Sequence, residues 1–328
     1  MANIRDDDIK RVASLKYRWD RLNGKTLLIS GGTGFIGSAV IDVIKERNSV
    51  YGNDIHVISL SRHPKANDGK ITYLKCDVTK NIEVPYDVDY VLHLASNTHP
   101  VQYAADPVGT IETNIIGCIN LLKLSYMKHV QRFLLASSVE VYGQCVDIPV
   151  SENFCGYIDC NTVRAGYNEA KRLCESLVQS YRAQYGIDAV VVRLARCFGD
   201  DITKKDSKVM AQLLSMAKNG KDIVLKSKGD QRFSYCYYAD AVSALFKVLL
   251  DGVNGEAYNV SEDDDGAYLA GVASYIATLS NTNLIFDYEM VAGASNATYA
   301  LLNCDKLKSL GWNPVFTVKD GIRRSLDS

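Results

Sequence analysis

The chain has 328 residues, of which 47% are hydrophobic, and a formal net charge of −1. A chain of this length and composition can bury a sizeable core, either as two lobes or as one large domain with a smaller one beside it. The balanced charge excludes a general basic field for nucleic acid, whereas a local basic pocket for a phosphorylated small molecule stays compatible with it.

The N-terminal segment, residues 1–23, is highly charged and lacks the apolar stretch that a signal peptide needs. No window of the sequence has the run of apolar residues that a membrane span requires. The nine cysteines occur singly, and the five histidines show no metal-ligand spacing. We therefore expect a cytoplasmic protein with free thiols, no metal site, and neither a membrane nor a nucleic acid as a partner.

Helical periodicity precedes the main fold. Ile9, Val12, Trp19 and Leu22 recur at helix-like intervals, which predicts an amphipathic helix within Asp8–Leu22. We assign residues 1–24 to this N-terminal helical extension and expect it to cover apolar surface on its own chain, with a partner subunit as the alternative.

From Lys25 onward, short apolar runs alternate with segments of helical periodicity. The predicted strands are Thr26–Ser30, Ile55–Leu60, Ile71–Leu74, Tyr90–Leu94, Phe133–Ala136 and Ala189–Leu194. The predicted helices between them are Phe35–Glu46, Thr110–Lys128 and Tyr167–Tyr185. This alternation predicts an α/β fold with a doubly wound parallel sheet covered on both faces.

After about Arg196 the alternation loosens, with a helix predicted at Lys208–Lys218 and a short strand at Ile223–Leu225. We assign residues 25–195 to the main domain. Residues 196–328 are assigned mainly to a smaller C-terminal substrate lobe, with some segments returning to the main sheet.

A glycine-rich turn joins the first predicted strand to the helix after it, Ser30-Gly31-Gly32-Thr33-Gly34-Phe35-Ile36-Gly37. Gly31, Gly34 and Gly37 permit a tight turn, let a pyrophosphate approach the backbone, and let the helix lie close to the sheet. The helix start at Phe35 and Ile36 offers free amides and a partial positive charge to phosphates. The turn therefore predicts a dinucleotide site.

The end of the second predicted strand bears on the choice of cofactor. Ser61 and Arg62 stand there, with no acid to bond a ribose diol. A hydroxyl and a guanidinium suit a 2′-phosphate, so NADP is favoured over NAD, although an ordinary surface arginine is the alternative. Asp77 and Val78 follow the third strand as a candidate contact to the adenine amino group, with a plain loop aspartate as the rival interpretation.

Tyr167 and Lys171 lie one helical turn apart on the same face of a predicted helix. A lysine cation favours the phenolate, and a tyrosine of this kind exchanges a proton with a carbinol as hydride moves. Ser138 stands at the C-terminal end of a predicted strand, and parallel sheets bind ligands at that end. We therefore expect its hydroxyl to share the substrate oxygen with Tyr167.

Several motifs occur together in order: the glycine turn, His93-Leu94-Ala95-Ser96, Thr113-Asn114 with Gly117 and Asn120, Ser-Ser followed by Val-Tyr-Gly, and Tyr-x-x-x-Lys. In this combination the sequence resembles the extended short-chain dehydrogenase/reductase family, in its nucleotide-sugar epimerase/dehydratase branch. The resemblance runs from about Lys25 to Trp312.

The resemblance implies a Rossmann-type domain with a tightly held nicotinamide cofactor and a nucleotide sugar in the C-terminal lobe. It implies that Ser138, Tyr167 and Lys171 form the catalytic set. Further cofactor contacts are implied at Leu94, Ala95, Ser96, Asn114, Tyr167 and Lys171. Many members of that branch are homodimers through two helices of each subunit, here Thr110–Lys128 and Tyr167–Tyr185.

The sequence also departs from the family pattern. Val139 stands where sugar 4,6-dehydratases carry the acid that protonates the departing hydroxyl, so ordinary dehydration is not expected. Glu140 matches a glutamate of related dehydratases and decarboxylases. It is a candidate base at C5 or a guide for a carboxylated substrate, with a bond to a neighbouring loop as an equal alternative.

Two further departures concern substrate phosphates. Arg196 replaces an asparagine that contacts the nucleotide in relatives, and Phe233 replaces a diphosphate-binding arginine, with Arg232 one place earlier. Because one residue reverses the side-chain direction in a strand, Arg232 is expected to point away from the pocket. Our hypothesis is that Arg196 takes over the phosphate contact. His99 follows the fourth strand on the nicotinamide side of the cleft and is a candidate to assist proton transfer, although a satisfied loop histidine is the favoured interpretation.

Three functions follow from these residues. The first is an NAD(P)-dependent enzyme that transiently oxidises a nucleotide-bound sugar at C4 and then epimerises, decarboxylates or otherwise remodels it. The second is an NADPH-dependent reductase of a nucleotide-linked keto-sugar or ketose. The third is an inactive cofactor-binding regulator.

Overall fold

The computed structural model describes residues 3–98, 100–199, 208–262, 266–287 and 299–328. The helices are α1 (Ile4–Ala13), α2 (Phe35–Val50), α3 (Pro100–Ala105), α4 (Pro107–Met127), α5 (Ala165–Tyr185), α6 (Val209–Lys218), α7 (Tyr238–Asp251), α8 (Leu269–Ser280), α9 (Asp305–Ser309) and α10 (Val318–Asp327). The strands are β1 (Lys25–Ser30), β2 (Ile55–Ser61), β3 (Ile71–Lys75), β4 (Tyr90–His93), β5 (Arg132–Ser138), β6 (Ala189–Leu194), β7 (Arg196–Phe198), β8 (Ile223–Leu225), β9 (Arg232–Phe233), β10 (Tyr235–Tyr237), β11 (Ala257–Val260), β12 (Ala267–Tyr268), β13 (Leu284–Phe286) and β14 (Tyr299–Ala300).

The main sheet has the strand order β11-β6-β5-β4-β1-β2-β3. Its neighbouring strands all pair in parallel, and Ser30 at the end of β1 is in register with Leu60 on one side and His93 on the other. The chain runs outward from β1 through β2 to β3 and then returns to β4 on the other side of β1. This reversal makes the carboxyl ends of β1 and β4 the crevice where such sheets bind ligands. The predicted doubly wound, Rossmann-type parallel sheet is confirmed.

Both faces of the sheet are buried. Leu27 and Ile29 of β1 pack into the core that contains α2 and α7, whereas Leu28 packs into the core that contains α4 and α5. Successive side chains of a strand point to opposite faces, so a strand with a core on each face needs an unbroken apolar run. This is why the run Leu27–Ile29 was recognisable in the sequence.

The N-terminal extension differs in form from the predicted single helix within Asp8–Leu22. Helix α1 starts earlier and ends at Ala13, and a separate 3-10 turn spans Trp19–Leu22. We attribute the end of the helix before Trp19 to the packing of that residue. The centre of its ring lies 4.8 Å from the centre of the Phe246 ring, and its Nε1 donates to the carbonyl of Leu15. Burial of this indole against α7 outweighs the continuation of the helical periodicity.

A buried carboxylate, Asp8, helps to hold helix α1 against the rest of the chain. Asp8 accepts hydrogen bonds from the hydroxyls of Tyr237 and Tyr238, at 2.6 and 2.9 Å, and from Nε of Arg324 in α10, at 2.6 Å. The extension therefore covers its own chain and joins the two ends of the sequence.

The region after Arg196 contains small sheets, in which β7 pairs with β10, β8 with β13, and β9 with both β12 and β14. Strand β11 returns to the edge of the main sheet beside β6, and α7 packs on the same layer as α2. Among the described residues, no helix is both long and apolar enough to cross a membrane. The same residues contain no group of three or more His, Cys, Asp or Glu side chains that could hold a metal ion.

Candidate active site

The glycine turn between β1 and α2 leaves no room for side chains at two of its positions. Gly31 has a φ of +77°, and a Cβ there would lie 2.9 Å from Cα of Ala95. A Cβ on Gly37 would lie 2.2 Å from the carbonyl oxygen of Gly31. Helix α2 begins at Phe35 directly after Gly34, and the first N–H groups of a helix have no partner within it. Glycine here produces the bare backbone cradle that a pyrophosphate requires.

Ser61, Arg62 and Asp77 lie near one another beyond this turn. The Ser61 hydroxyl is 2.8 Å from that of Thr33 in the glycine turn, and Arg62 follows as an exposed residue. Hydrogen bonds from Thr79, assisted by the nearby charge of Arg62, hold the pKa of Asp77 below its usual value. The site thus offers a hydroxyl, a cation and a carboxylate at the ends of β2 and β3.

Val78 fixes the loop that carries Asp77. It is buried against α4, where a Cβ on Gly117 would lie 2.9 Å from a methyl group of Val78. The side-chain amide of Asn120 donates to the Val78 carbonyl at 2.9 Å. These contacts explain the pairing of a glycine and an asparagine on α4 that the sequence displays.

The loop after β4 carries Leu94, Ala95 and Ser96 between β1 and α4. The Ala95 N–H donates to the Ser30 hydroxyl at 3.3 Å, and the Ser96 hydroxyl donates to the side-chain oxygen of Asn114 at 2.9 Å. These residues therefore line the crevice at the switch point of the sheet. The remaining candidate, His99, lies outside the described residues.

His93 is a buried neutral group beside Ser30 and near Lys171. Burial, and secondarily the charge of Lys171, lowers the pKa of His93 to about 3. Its Nδ1 atom lies 2.8 Å from the Ser30 hydroxyl. The imidazole is therefore uncharged near neutral pH and leaves the positive charge of this region to Lys171.

Tyr167 and Lys171 lie one turn apart on α5 and are both buried. The Lys171 ammonium donates to the Ala136 carbonyl of β5 at 2.9 Å and lies 5.9 Å from the centre of the Tyr167 ring. Ser138 ends the same strand, and its hydroxyl accepts from the N–H of Glu140 at 3.3 Å. A phenol, an ammonium and a hydroxyl are thus carried by β5 and the helix packed on its end.

Glu140 is an anchored carboxylate. Its Oε2 atom accepts hydrogen bonds from Arg164 at 3.1 Å and from the Asn168 amide at 3.2 Å, and its Oε1 atom lies 3.9 Å from Arg196. Val139 beside it is buried and apolar. The position that supplies an acid in dehydratases therefore has no proton to donate, and Glu140 is surrounded by donors.

Arg196 and Arg232 have different surroundings. The Cζ atom of Arg196 stands 3.6 Å from the ring centre of Phe233, and its Nη1 atom is buried without a hydrogen-bond partner among the described residues. Arg232 precedes Phe233 in β9 and is instead 3.2 Å from Asp147. Arg232 and Phe233 are neighbours in β9 and point in opposite directions, so Arg232 points away from Arg196, which stacks on Phe233 and lies 3.9 Å from Glu140.

Sequence reasoning overlooked Arg164, Asn168 and the buried pair Glu175–Arg193. Arg164 and Asn168 flank Tyr167, and only the fold shows that both turn toward Glu140. Arg193 did carry a signal, since a charged residue inside a predicted buried strand needs a buried partner. That partner, Glu175, follows Lys171 by one turn of α5.

A glycine-rich turn at the switch point of a parallel sheet, with a serine, a tyrosine and a lysine at the adjoining strand, defines a nicotinamide-dinucleotide-dependent enzyme. The chain belongs to the NAD dependent epimerase/dehydratase family, whose sequence model matches residues 27–261. The predicted family and enzyme class are confirmed, and the cofactor class is nicotinamide adenine dinucleotide.

Individual relatives agree with this assignment. UDP-glucuronic acid decarboxylase 3 of Arabidopsis thaliana is 30% identical over 303 residues, which cover 90% of this chain and 86% of that protein. The fold is similar to UDP-glucose 4-epimerase of Thermotoga maritima, with a TM-score of 0.79, 20% identity, and coverage of 92% of this chain and 97% of that one. It is also similar to dTDP-glucose 4,6-dehydratase of Bacillus anthracis in complex with NAD, with a TM-score of 0.74, 19% identity, and coverage of 92% and 96%.

Proposed function

We propose that the protein removes the C6 carboxylate of a nucleotide-bound uronic acid through transient oxidation at C4, with its cofactor regenerated in each turnover. The observation that carries this proposal is Val139, which is buried where a dehydratase needs a proton donor. Departing CO2 takes no proton, so decarboxylation does not need that acid. The similarity to UDP-glucuronic acid decarboxylases supports the same reaction.

The roles of the chain's own groups follow from their chemistry. Tyr167 acts as a phenolate, which the Lys171 ammonium stabilises, and accepts the proton of the C4 hydroxyl to become a neutral phenol. Ser138 hydrogen-bonds the same sugar oxygen. A bound nicotinamide cofactor would supply reversible hydride acceptance at C4. The backbone at Gly31, Gly34, Phe35, Ile36 and Gly37 holds the pyrophosphate.

The C4 ketone is β to the carboxylate, so the C5–C6 bond breaks with its electron pair passing to the C4 oxygen. A proton from water then adds at C5 in place of the lost CO2. Hydrogen bonds from Ser138 and protonated Tyr167 stabilise the enolate oxygen. Glu140, which is held by Arg164 and Asn168, keeps this region rigid.

Arg196 supplies the substrate's phosphate contact in this proposal. Its buried Nη1 atom lacks a hydrogen-bond partner among the described residues, and a guanidinium fork suits phosphate oxygens. The cofactor is NADP in preference to NAD, since β2 ends in Ser61 followed by the exposed Arg62, where NAD enzymes carry an acid at the end of this strand. Asp77 then bonds the adenine.

A homodimer in the cytoplasm completes the proposal. Helices α4 and α5 expose Val108, Ile111, Ile116 and Leu173 to solvent, and apolar side chains on neighbouring helices suit a self-association surface. Light scattering of the purified chain at micromolar concentration tests the dimer, and imaging of the tagged full chain tests the location.

The test of function uses UDP-glucuronic acid labelled with ¹³C at C6. We expect release of labelled CO2 with no net change in the reduced-nicotinamide absorbance, and no release by Tyr167→Phe. Stoichiometric loss of NADPH with a keto-sugar would establish the reductase instead. Conversion of UDP-glucose to its C4 epimer, with uronate untouched, would establish an epimerase. If the protein bound neither substrate, the remaining function would be that of an inactive cofactor-binding regulator. The similarity to the named enzymes does not favour that function.

A further inference from the structure

A hydrogen bond behind the reacting residues joins β5 to α5. The Ser137 hydroxyl donates to Oε1 of Glu175 at 2.5 Å. Ser137 is the neighbour of Ser138, and Glu175 follows Lys171 by one helical turn. The bond therefore links the strand that carries the serine with the helix that carries the tyrosine and the lysine.

The carboxylate in this link is buried and compensated. Arg193 of β6 pairs with Glu175 through two nitrogens, Nη2 at 2.6 Å and Nε at 3.0 Å, and their side chains are only 13% and 14% exposed. The remaining donor of Arg193 reaches the Tyr142 hydroxyl at 2.9 Å. That hydroxyl in turn donates to the side-chain oxygen of Asn259 in β11 at 2.5 Å.

Arg193 thus holds Glu175, Tyr142 holds Arg193, and Ser137 connects this network to the strand that carries Ser138. A second hydrogen bond between α5 and β5, from the Lys171 ammonium to the Ala136 carbonyl, holds β5 one residue before Ser137. Two adjacent ties restrain both the position and the rotation of the strand end. Proton transfer and hydride transfer depend on placement to about 0.5 Å.

We infer that Ser137 and Glu175 are positioning residues that set Ser138 against Tyr167 without contacting the substrate. The Glu175 carboxylate orients the Ser137 hydroxyl, and its pairing with Arg193 holds that carboxylate in place. Loss of the bond leaves Ser138 free to shift while the substrate and cofactor sites stay intact.

The test removes the bond at Ser137, because a change at Glu175 would also strip Arg193 of its buried partner. Ser137→Ala is compared with Ser137→Thr, which keeps a hydroxyl, and with Ser125→Ala as a matched control. Ser125 is a buried serine of α4 whose hydroxyl donates to the Leu121 carbonyl at 2.7 Å, away from the site.

We expect Ser137→Ala to lower kcat by roughly tenfold or more, with KM and the cofactor Kd within about twofold of the wild type. Ser137→Thr should recover most of the rate. We expect Ser125→Ala to keep the wild-type kcat. The midpoint of thermal unfolding should be the same for Ser137→Ala and Ser125→Ala. An unchanged kcat in Ser137→Ala, or an equal loss in Ser125→Ala, would overturn the inference.

A structural measurement separates this inference from the proposed decarboxylation. Crystal structures of the wild type and Ser137→Ala give the distance from Ser138 Oγ to Tyr167 Oη, and we expect it to change by about 0.5 Å or more. An unchanged distance sinks the positioning role whatever the substrate. Failure to release CO2 from a uronate, with the distance changed, sinks only the proposed function, and kcat is then measured with the nucleotide sugar that the wild type converts.

Discussion

The guanidinium of Arg196 stands over the ring of Phe233, with 3.6 Å between Cζ and the ring centre. A cation is stabilised over an aromatic face, and here the stacking leaves Nη1 buried without a hydrogen-bond partner among the described residues. A buried donor of this kind is costly unless a ligand completes it. In the family pattern an arginine stands at the position of Phe233 in β9. In this chain the cation is instead Arg196 of β7.

The first prediction concerns this pair. Arg196→Ala should weaken UDP binding by roughly ten- to a hundredfold, since hydrogen bonds to charged groups contribute about 1.5–3 kcal/mol. Isothermal titration with UDP measures the change. The double variant Arg196→Asn/Phe233→Arg should recover affinity by restoring the family arrangement. The matched control is Arg323→Ala, at an exposed arginine of α10. If Arg196→Ala binds UDP normally and Arg232→Ala does not, the phosphate contact belongs to Arg232.

The glycine turn gives the second prediction. Gly37→Ala should weaken cofactor binding at least a hundredfold, because its Cβ would lie 2.2 Å from the Gly31 carbonyl oxygen and force the turn away from α2. Fluorescence titration with reduced cofactor measures the loss. Gly271→Ala, in a helix with open space at its Cβ, should bind normally. Tight binding by Gly37→Ala would contradict the cradle described here.

Cofactor choice gives the third prediction. Arg62 is exposed at the end of β2, close enough to Asp77 for its charge to help lower that carboxyl's pKa. Arg62→Ala should weaken NADPH binding by about tenfold while changing NADH binding less than twofold, since only the former has a 2′-phosphate. Lys65→Ala, three residues further along the same loop, tests whether any nearby cation suffices. Equal losses for both cofactors would leave Arg62 as an ordinary surface residue.

A buried carboxyl gives the fourth prediction. Burial raises the pKa of Asp240 to about 7. A hydrogen bond from the Val315 N–H lowers this pKa, whereas the charges of Glu262 and Asp8 raise it further. Between the unfolded pKa near 4 and the folded pKa near 7, the native state binds more protons than the unfolded state, so this carboxyl's contribution to stability falls as pH rises and levels off above pH 7.

Asp240→Asn removes that titration. Its free energy of unfolding relative to the wild type should rise from pH 4 to pH 7 by on the order of 3 kcal/mol and stay constant above pH 7. Urea unfolding across this range measures the difference. Asp6→Asn, at an exposed aspartate of α1, should track the wild type, and a pH-independent difference for Asp240→Asn would refute the raised pKa.

The elements around the cofactor crevice could be predicted because their signals are local. The run Leu27–Ile29, the glycines that follow it and the Tyr167–Lys171 spacing each lie within a few residues, and each depends on backbone sterics or helix geometry. The extent of the N-terminal helix was predicted wrongly, because the burial of Trp19 against Phe246 joins residues more than two hundred positions apart and carries no periodic signal.

The sequence by itself determined the α/β class, the glycine turn after β1, and the candidate catalytic phenol and ammonium of α5 and hydroxyl at the end of β5. Only the tertiary structure decided what surrounds them: that Glu140 accepts from Arg164 and Asn168, and that Glu175 holds both Ser137 and Arg193. A pattern within one element follows from backbone geometry. The partner of a buried charge is set by which distant segments the fold brings within hydrogen-bonding distance.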